Sequence, residues 1–145
     1  MEVKVIGPQP PCIRCKTALK RARQAAGKFV GVKVTSLETH TEEAKKYGNT
    51  EGGHTISQKE KVRENHKRIE ALRAEIDELE IDEEANREKI RELVAEIEKE
   101  LTPVKTKARE TGYLMTPVVV VNDKVKLAGE IPEVEQIETW IKEEL

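Results

Sequence analysis

The sequence predicts an α/β domain interrupted by a helical hairpin, and three observations carry that reading. Residues 1–38 follow a strand–helix–strand order, residues 114–145 follow a strand–strand–helix order, and between them lies a long stretch almost free of glycine and dense in Glu, Lys and Arg. The two flanks have the grammar of one small sheet with helices, and the middle has the three- and four-residue apolar spacing of helices.

The elements follow in order. "VKVIG" is a first strand ending on Gly7. A Pro-rich loop follows, and a helix then runs from about Cys12 to Ala26, in which Cys15, Leu19, Ala22 and Ala26 share a face and Gly27 is a stop. "FVGVKVTSL" closes the unit as a second strand. "THTEEAKKYG" is a short helix with Thr41 as its cap.

From about Ser57 to Glu110 two apolar stripes appear. Val62, Ile69, Leu72, Ile76 and Leu79 make one; Asn86, Ile90, Leu93, Ile97, Leu101, Val104 and Ala108 make the other. With Asp82 as a cap between them, they predict two long antiparallel helices, the second bent or broken at Pro103. "VVVV" from Val118, the turn at Asn122-Asp123 and Lys124 to Ala128 form a β-hairpin. Runs of consecutive Val suit a strand buried on both faces. A last helix starts near Pro132, with Val134, Ile137, Trp140, Ile141 and Leu145 facing inward.

Composition narrows the function. The chain has 145 residues with 37% hydrophobic, 3% aromatic and 37% charged residues, so its core is small and aliphatic. A formal net charge of −2 speaks against a nucleic-acid binder. The longest apolar run is too short to cross a bilayer, and the N-terminus lacks a signal-peptide pattern. A cytoplasmic protein, with its thiols kept reduced, is the expectation.

The chain's only cysteines, Cys12 and Cys15, stand in C-x-x-C spacing at the start of the first predicted helix. Residues i and i+3 share a helical face, and a helix N-terminus favours a thiolate. This makes Cys12 the exposed nucleophile and Cys15 the resolving thiol, with Arg14 and Lys16 adding positive charge. Two other readings stay open. The cysteines are also compatible with plain core packing. A metal site would need a second copy of the chain to complete four thiolates. His40, His54 and His66 form no short-spaced pair, and His66 is expected to pack at the seam of the first helical arm.

"PPCIRC" after a strand, "MTP" directly before "VVVV", and "LAGEIP" before the last helix together resemble the thioredoxin-like superfamily. The nearest likeness is to the small archaeal and bacterial thioredoxin/glutaredoxin-like proteins, over residues 1–48 and 111–145. The resemblance implies a mixed four-stranded sheet flanked by helices and a cis Thr116-Pro117 peptide facing the cysteines. It implies thiol–disulfide exchange on a protein disulfide, reduction by a separate reductase, and no cofactor. Cys12 and Cys15 are then catalytic, while Thr116, Pro117, Pro11, Ile13 and Arg14 contact substrate. In that family the backbone before the cis-proline pairs with the substrate polypeptide.

The chain departs from thioredoxins proper. It has Pro11 before Cys12, Ile13-Arg14 between the cysteines, and no buried acid in the first strand. Residues 49–110 are an insertion leaving after Tyr47-Gly48 and returning at Thr111-Gly112. The arm serves as a spacer, a homodimerisation element or a partner-docking element. If it is the working part, the chain is a non-catalytic interaction module on a thioredoxin-like platform.

Overall fold

A computed structural model describes all residues, Met1–Leu145. Strand β1 (Glu2–Gly7) leads through the proline loop into α1 (Ile13–Ala26), and β2 (Lys33–Glu38) follows. Short elements come next: α2 (Glu42–Lys45), β3 (Thr50–Glu51) and α3 (Gly53–Lys59). Two longer helices, α4 (His66–Leu79) and α5 (Arg87–Glu100), flank a 3₁₀ turn at Glu80–Asp82. The chain ends with α6 (Thr102–Thr111), β4 (Leu114–Met115), β5 (Val118–Val121), β6 (Lys124–Ala128) and α7 (Val134–Glu144).

The main sheet has the order β2-β1-β5-β6. Strands β1 and β2 are parallel, whereas β5 runs antiparallel to both β1 and β6. It is thus a mixed four-stranded sheet. Asn122 and Asp123 both take positive φ, 51° and 63°, which matches the right-handed strand twist in a two-residue hairpin. The period-2 alternation of β5 explains its valine run: Val119 and Val121 pack under α1 and α7, while Val118 and Val120 face Ile6, Leu37 and Ala44 on the other side. The cap on α2 forms as the sequence suggests, Thr41 Oγ1 accepting from the Ala44 N–H at 3.2 Å. Glu133 and Gln136 form a reciprocal capping box at the head of α7. Leu145, expected inward, lies beyond the end of α7 and is exposed.

The central stretch differs from two long helices. It breaks into α3, α4, α5 and α6, because Lys61 takes φ 54° and Asn65 then starts α4 by accepting a hydrogen bond from the Arg68 N–H. Asp82 caps only a turn, accepting from the Ala85 N–H. Asn86 instead ties off α4 by donating to the Leu79 carbonyl, which delays α5 to Arg87. At Pro103 the chain does divide: α5 ends at Glu100, and the proline sits in the first turn of α6, where its missing N–H costs nothing.

Helices α4 and α5 pack on each other, and their stripe is covered from within the chain. Ile69, Ile76 and Ile97 join Ile56 of α3, Val104 and Ala108 of α6, and Met115 in one buried cluster, with Ile13 packed against it. This helical core rests on the sheet domain at the turn that carries the cysteines. No helix is long and apolar enough to cross a membrane.

Candidate functional site

Strand β1 delivers the chain to the site. After Gly7 the proline loop, with a cis Gln9-Pro10 bond, turns the chain so that Cys12 becomes the N-cap of α1 in an extended conformation (φ −72°, ψ 171°). Its side chain makes no capping bond to the helix, and its sulfur is half-buried. Cys15, one turn in, is 3% exposed. The two free thiols place Sγ atoms 3.8 Å apart, a hydrogen-bonding separation well short of a covalent link. Gly7 is required for this approach, since a Cβ there would stand 2.5 Å from Cys15 Sγ. Gly7→Ala is therefore expected to destabilise the reduced protein by about 1–3 kcal/mol through overpacking, read as a lower urea midpoint.

The pair is electrostatically unequal. The Cys12 thiol is pulled down to about 5, first by the hydrogen bond from the Cys15 thiol and then by the backbone N–H groups of Cys15 and Arg14, against the opposing effect of burial. Arg73 of α4 adds a favourable charge. Cys15 moves the opposite way, well above the usual thiol range, because it gives up its hydrogen bond on ionising, is buried, and would sit beside a thiolate. One proton is thus held between two sulfurs, on Cys15.

Arg14 and Lys16 do not act at Cys12 as expected. Lys16 Nζ is paired with Glu80 at 2.8 Å. Arg14 is 3% exposed and its guanidinium turns away from Cys12: Nη1 donates to the Thr116 carbonyl at 2.9 Å and Nη2 to the Gly129 carbonyl at 2.5 Å. Its Nε and Nη2 also grip both carboxylate oxygens of Glu98 in α5, at 2.9 and 3.2 Å. A residue between the cysteines therefore fastens α1, the proline loop and the helical core together. Nothing local in the sequence marked Arg73, which reaches the thiol only through the packing of α4.

The Thr116-Pro117 peptide is cis, and both residues are buried at the head of β5. Thr116 lines the same cavity as Cys12, which sets this loop against the cysteine pair. The Thr116 backbone is fully engaged within the chain, its N–H donating to the Glu51 carbonyl at 2.9 Å and its carbonyl accepting from Arg14. Ile13 points into the helical core, and Pro11 stays half-exposed in the approach loop. A cavity of about 170 Å³ opens beside Cys12, with Thr116, Arg73, His54, Glu64 and His66 among its walls. The sequence reading missed that convergence, and it placed His66 at a helical seam, whereas the ring is half-exposed at the start of α4 and stacks on His54.

A C-x-x-C turn heading a helix, set against a cis-proline at the head of a central strand in a mixed sheet, defines the thioredoxin-like class. A family model described as "Thioredoxin domain" matches residues 66–142, just over half of the chain, and the chain belongs to that family. The matched region takes in the cis-proline, the β5–β6 hairpin and most of α7, and extends back through α4, α5 and α6; Cys12 and Cys15 lie upstream of it. No curated protein and no solved structure matched the chain.

Proposed function

We propose that the chain is a thiol–disulfide oxidoreductase working through Cys12 and Cys15. The observation that supports this most is the pair of free thiols 3.8 Å apart at the head of α1 beside the cis Thr116-Pro117 loop, an arrangement that lowers the pKa of Cys12 and raises that of Cys15. In the reducing direction the Cys12 thiolate attacks a substrate disulfide, forming a mixed disulfide and expelling one substrate sulfur as a thiolate that takes up a proton. Cys15 then loses its proton and attacks Cys12 Sγ. That step forms the Cys12–Cys15 disulfide, expels the second substrate thiolate and completes a two-electron transfer to the substrate. Oxidation of a dithiol is the reverse sequence.

The reading includes a disulfide-bearing protein substrate, a separate reductase and a cytoplasmic setting. It treats residues 49–110 as an insertion between the two parts of a thioredoxin-like domain, 1–48 and 111–145, and one that covers the thiol turn. It carries over Thr116, Pro117, Pro11, Ile13 and Arg14 as the substrate-contacting set that the family likeness implies; of these Thr116 and Arg14 line the cavity beside Cys12, while Ile13 packs into the helical core.

Incubating the Cys15→Ser variant with 2-hydroxyethyl disulfide is expected to trap a stable adduct on Cys12, visible by intact mass. Wild type should instead pass on to the internal disulfide, and Cys12→Ser should do neither. Absence of any adduct on Cys15→Ser would sink the exchange mechanism.

A further inference from the structure

We propose that His54, Glu64 and His66 form a binding site for a first-row divalent transition ion of the zinc class, in the wall of the cavity that also holds Cys12. The site does not depend on disulfide exchange and uses none of its residues.

The chain converges on this point from two helices and the link between them. His54 lies in the first turn of α3, Glu64 in the connecting segment, and His66 is the first residue of α4. One ligand atom from each lies within 4.8 Å of the others. Both imidazoles present Nδ1 to the same carboxylate oxygen, Glu64 Oε1, His54 in direct contact and His66 at 3.6 Å. The rings are stacked with centroids 4.3 Å apart, so the two nitrogens reach the carboxylate side by side.

Glu64 is the unusual member. Its side chain is only 6% exposed, and its ion-pair partners are the two imidazoles alone. The other equally buried carboxylates each hold a permanent cation: Glu51 has Lys59, and Glu144 has Lys124 and Lys126. A buried carboxylate is costly without a compensating charge. At Glu64 no Lys or Arg fills that role, and an ion held between the three ligands would.

The donor set selects the ion. Two imidazole nitrogens and one carboxylate suit zinc and its neighbours, whereas calcium and magnesium prefer oxygen donors. Three protein ligands leave a position of the ion open. The imidazoles are about half-exposed, which gives the ion a way in. The frame is built beforehand: a Cβ on Gly53 would meet Met115 Cε at 2.7 Å, which seats the start of α3 closely on the core, and the Asn65 cap sets His66 at the head of α4.

The test is calorimetric titration of the reduced, chelator-treated full-length chain with Zn²⁺, with circular dichroism of each variant as a check on folding. One ion per chain is expected to bind with sub-micromolar affinity, and to bind equally well to the Cys12→Ser/Cys15→Ser double variant. Glu64→Gln and the half-exposed His66→Gln should each weaken binding at least about 100-fold, since even the partners behind a ligand are worth 10- to 100-fold. Failure of wild type to bind one Zn²⁺ would overturn the proposal. So would binding that disappears with the cysteines and survives in both His66→Gln and Glu64→Gln. The double variant cannot exchange disulfides, so its titration separates this outcome from that of the oxidoreductase reading.

Discussion

Titrated by thiolate absorbance, the reduced protein is expected to ionise one thiol at about pH 5, that of Cys12. The kinetic consequence depends on pH, because a more acidic thiol is also a weaker nucleophile. Against a free cysteine of pKa about 8.5, a Brønsted slope of about 0.45 costs Cys12 roughly 40-fold in intrinsic reactivity. At pH 7 the thiolate gain is about 30-fold, so alkylation should run near parity with a free thiol. Near pH 5.5 about three-quarters of Cys12 is thiolate, against roughly one part in a thousand for the free thiol, and Cys12 should react about 20-fold faster.

Stability moves with the same group. Between pH about 5 and about 8.5 the unfolded chain holds a proton on Cys12 that the folded chain has released, so stability of the reduced protein rises with pH across that window. It is lost as pH falls through about 5. Above about 8.5 the raised Cys15 thiol acts in the opposite sense. Below about pH 8.5 the difference in urea midpoint between wild type and Cys12→Ser isolates the effect; above it the Cys15 shift, whose largest cause is Cys12, differs between the two as well. A first thiol ionisation near pH 8.5 would remove the electrostatic basis of the site.

Arg14→Leu is expected to be the most destabilising single substitution at the site, by about 3–5 kcal/mol. It removes donors from the buried carbonyls of Thr116 and Gly129 and breaks a two-pronged pair with Glu98. Lys105 Nζ, 3.1 Å from Glu98, remains to hold that carboxylate and keeps the loss from growing larger. For a chain of this length the change corresponds to a drop of roughly 10–15 °C in Tm. Arg14→Lys should recover only part of it, because an ammonium cannot reach three partners in the planar geometry that a guanidinium offers. A wild-type urea midpoint for Arg14→Leu would mean that the clamp contributes nothing.

Where residues act on near neighbours, the sequence was readable. The strand–helix–strand opening, the Asn122-Asp123 turn, the Thr41 cap and the start of α6 at Pro103 are all local choices of backbone or side chain. The apolar stripes of the central helices were legible too, but their division was not. It rests on Lys61 adopting positive φ, on the Asn65 cap, and on Asn86 reaching back to Leu79. The site divides along the same line. The C-x-x-C spacing and "MTP" stood out, yet the guanidinium of Arg14 acts on residues 98, 116 and 129, and Arg73 reaches Cys12 from another helix. The meeting of His54, Glu64 and His66 depends on how α3 turns into α4, for which linear spacing gives no sign.

Arg14 holds two offices at once. Its backbone N–H helps keep the Cys12 sulfur ionised, and its side chain rivets the helical core to the proline loop. Someone wishing to retune the oxidising strength of the dithiol would reach first for the residues between the cysteines. Here that adjustment cannot be made in isolation, because any change at this position also loosens the architecture. Every residue but proline would keep the N–H that faces Cys12 and lose the fastening, so a change at position 14 loosens the frame around the sulfur before it alters the acidity.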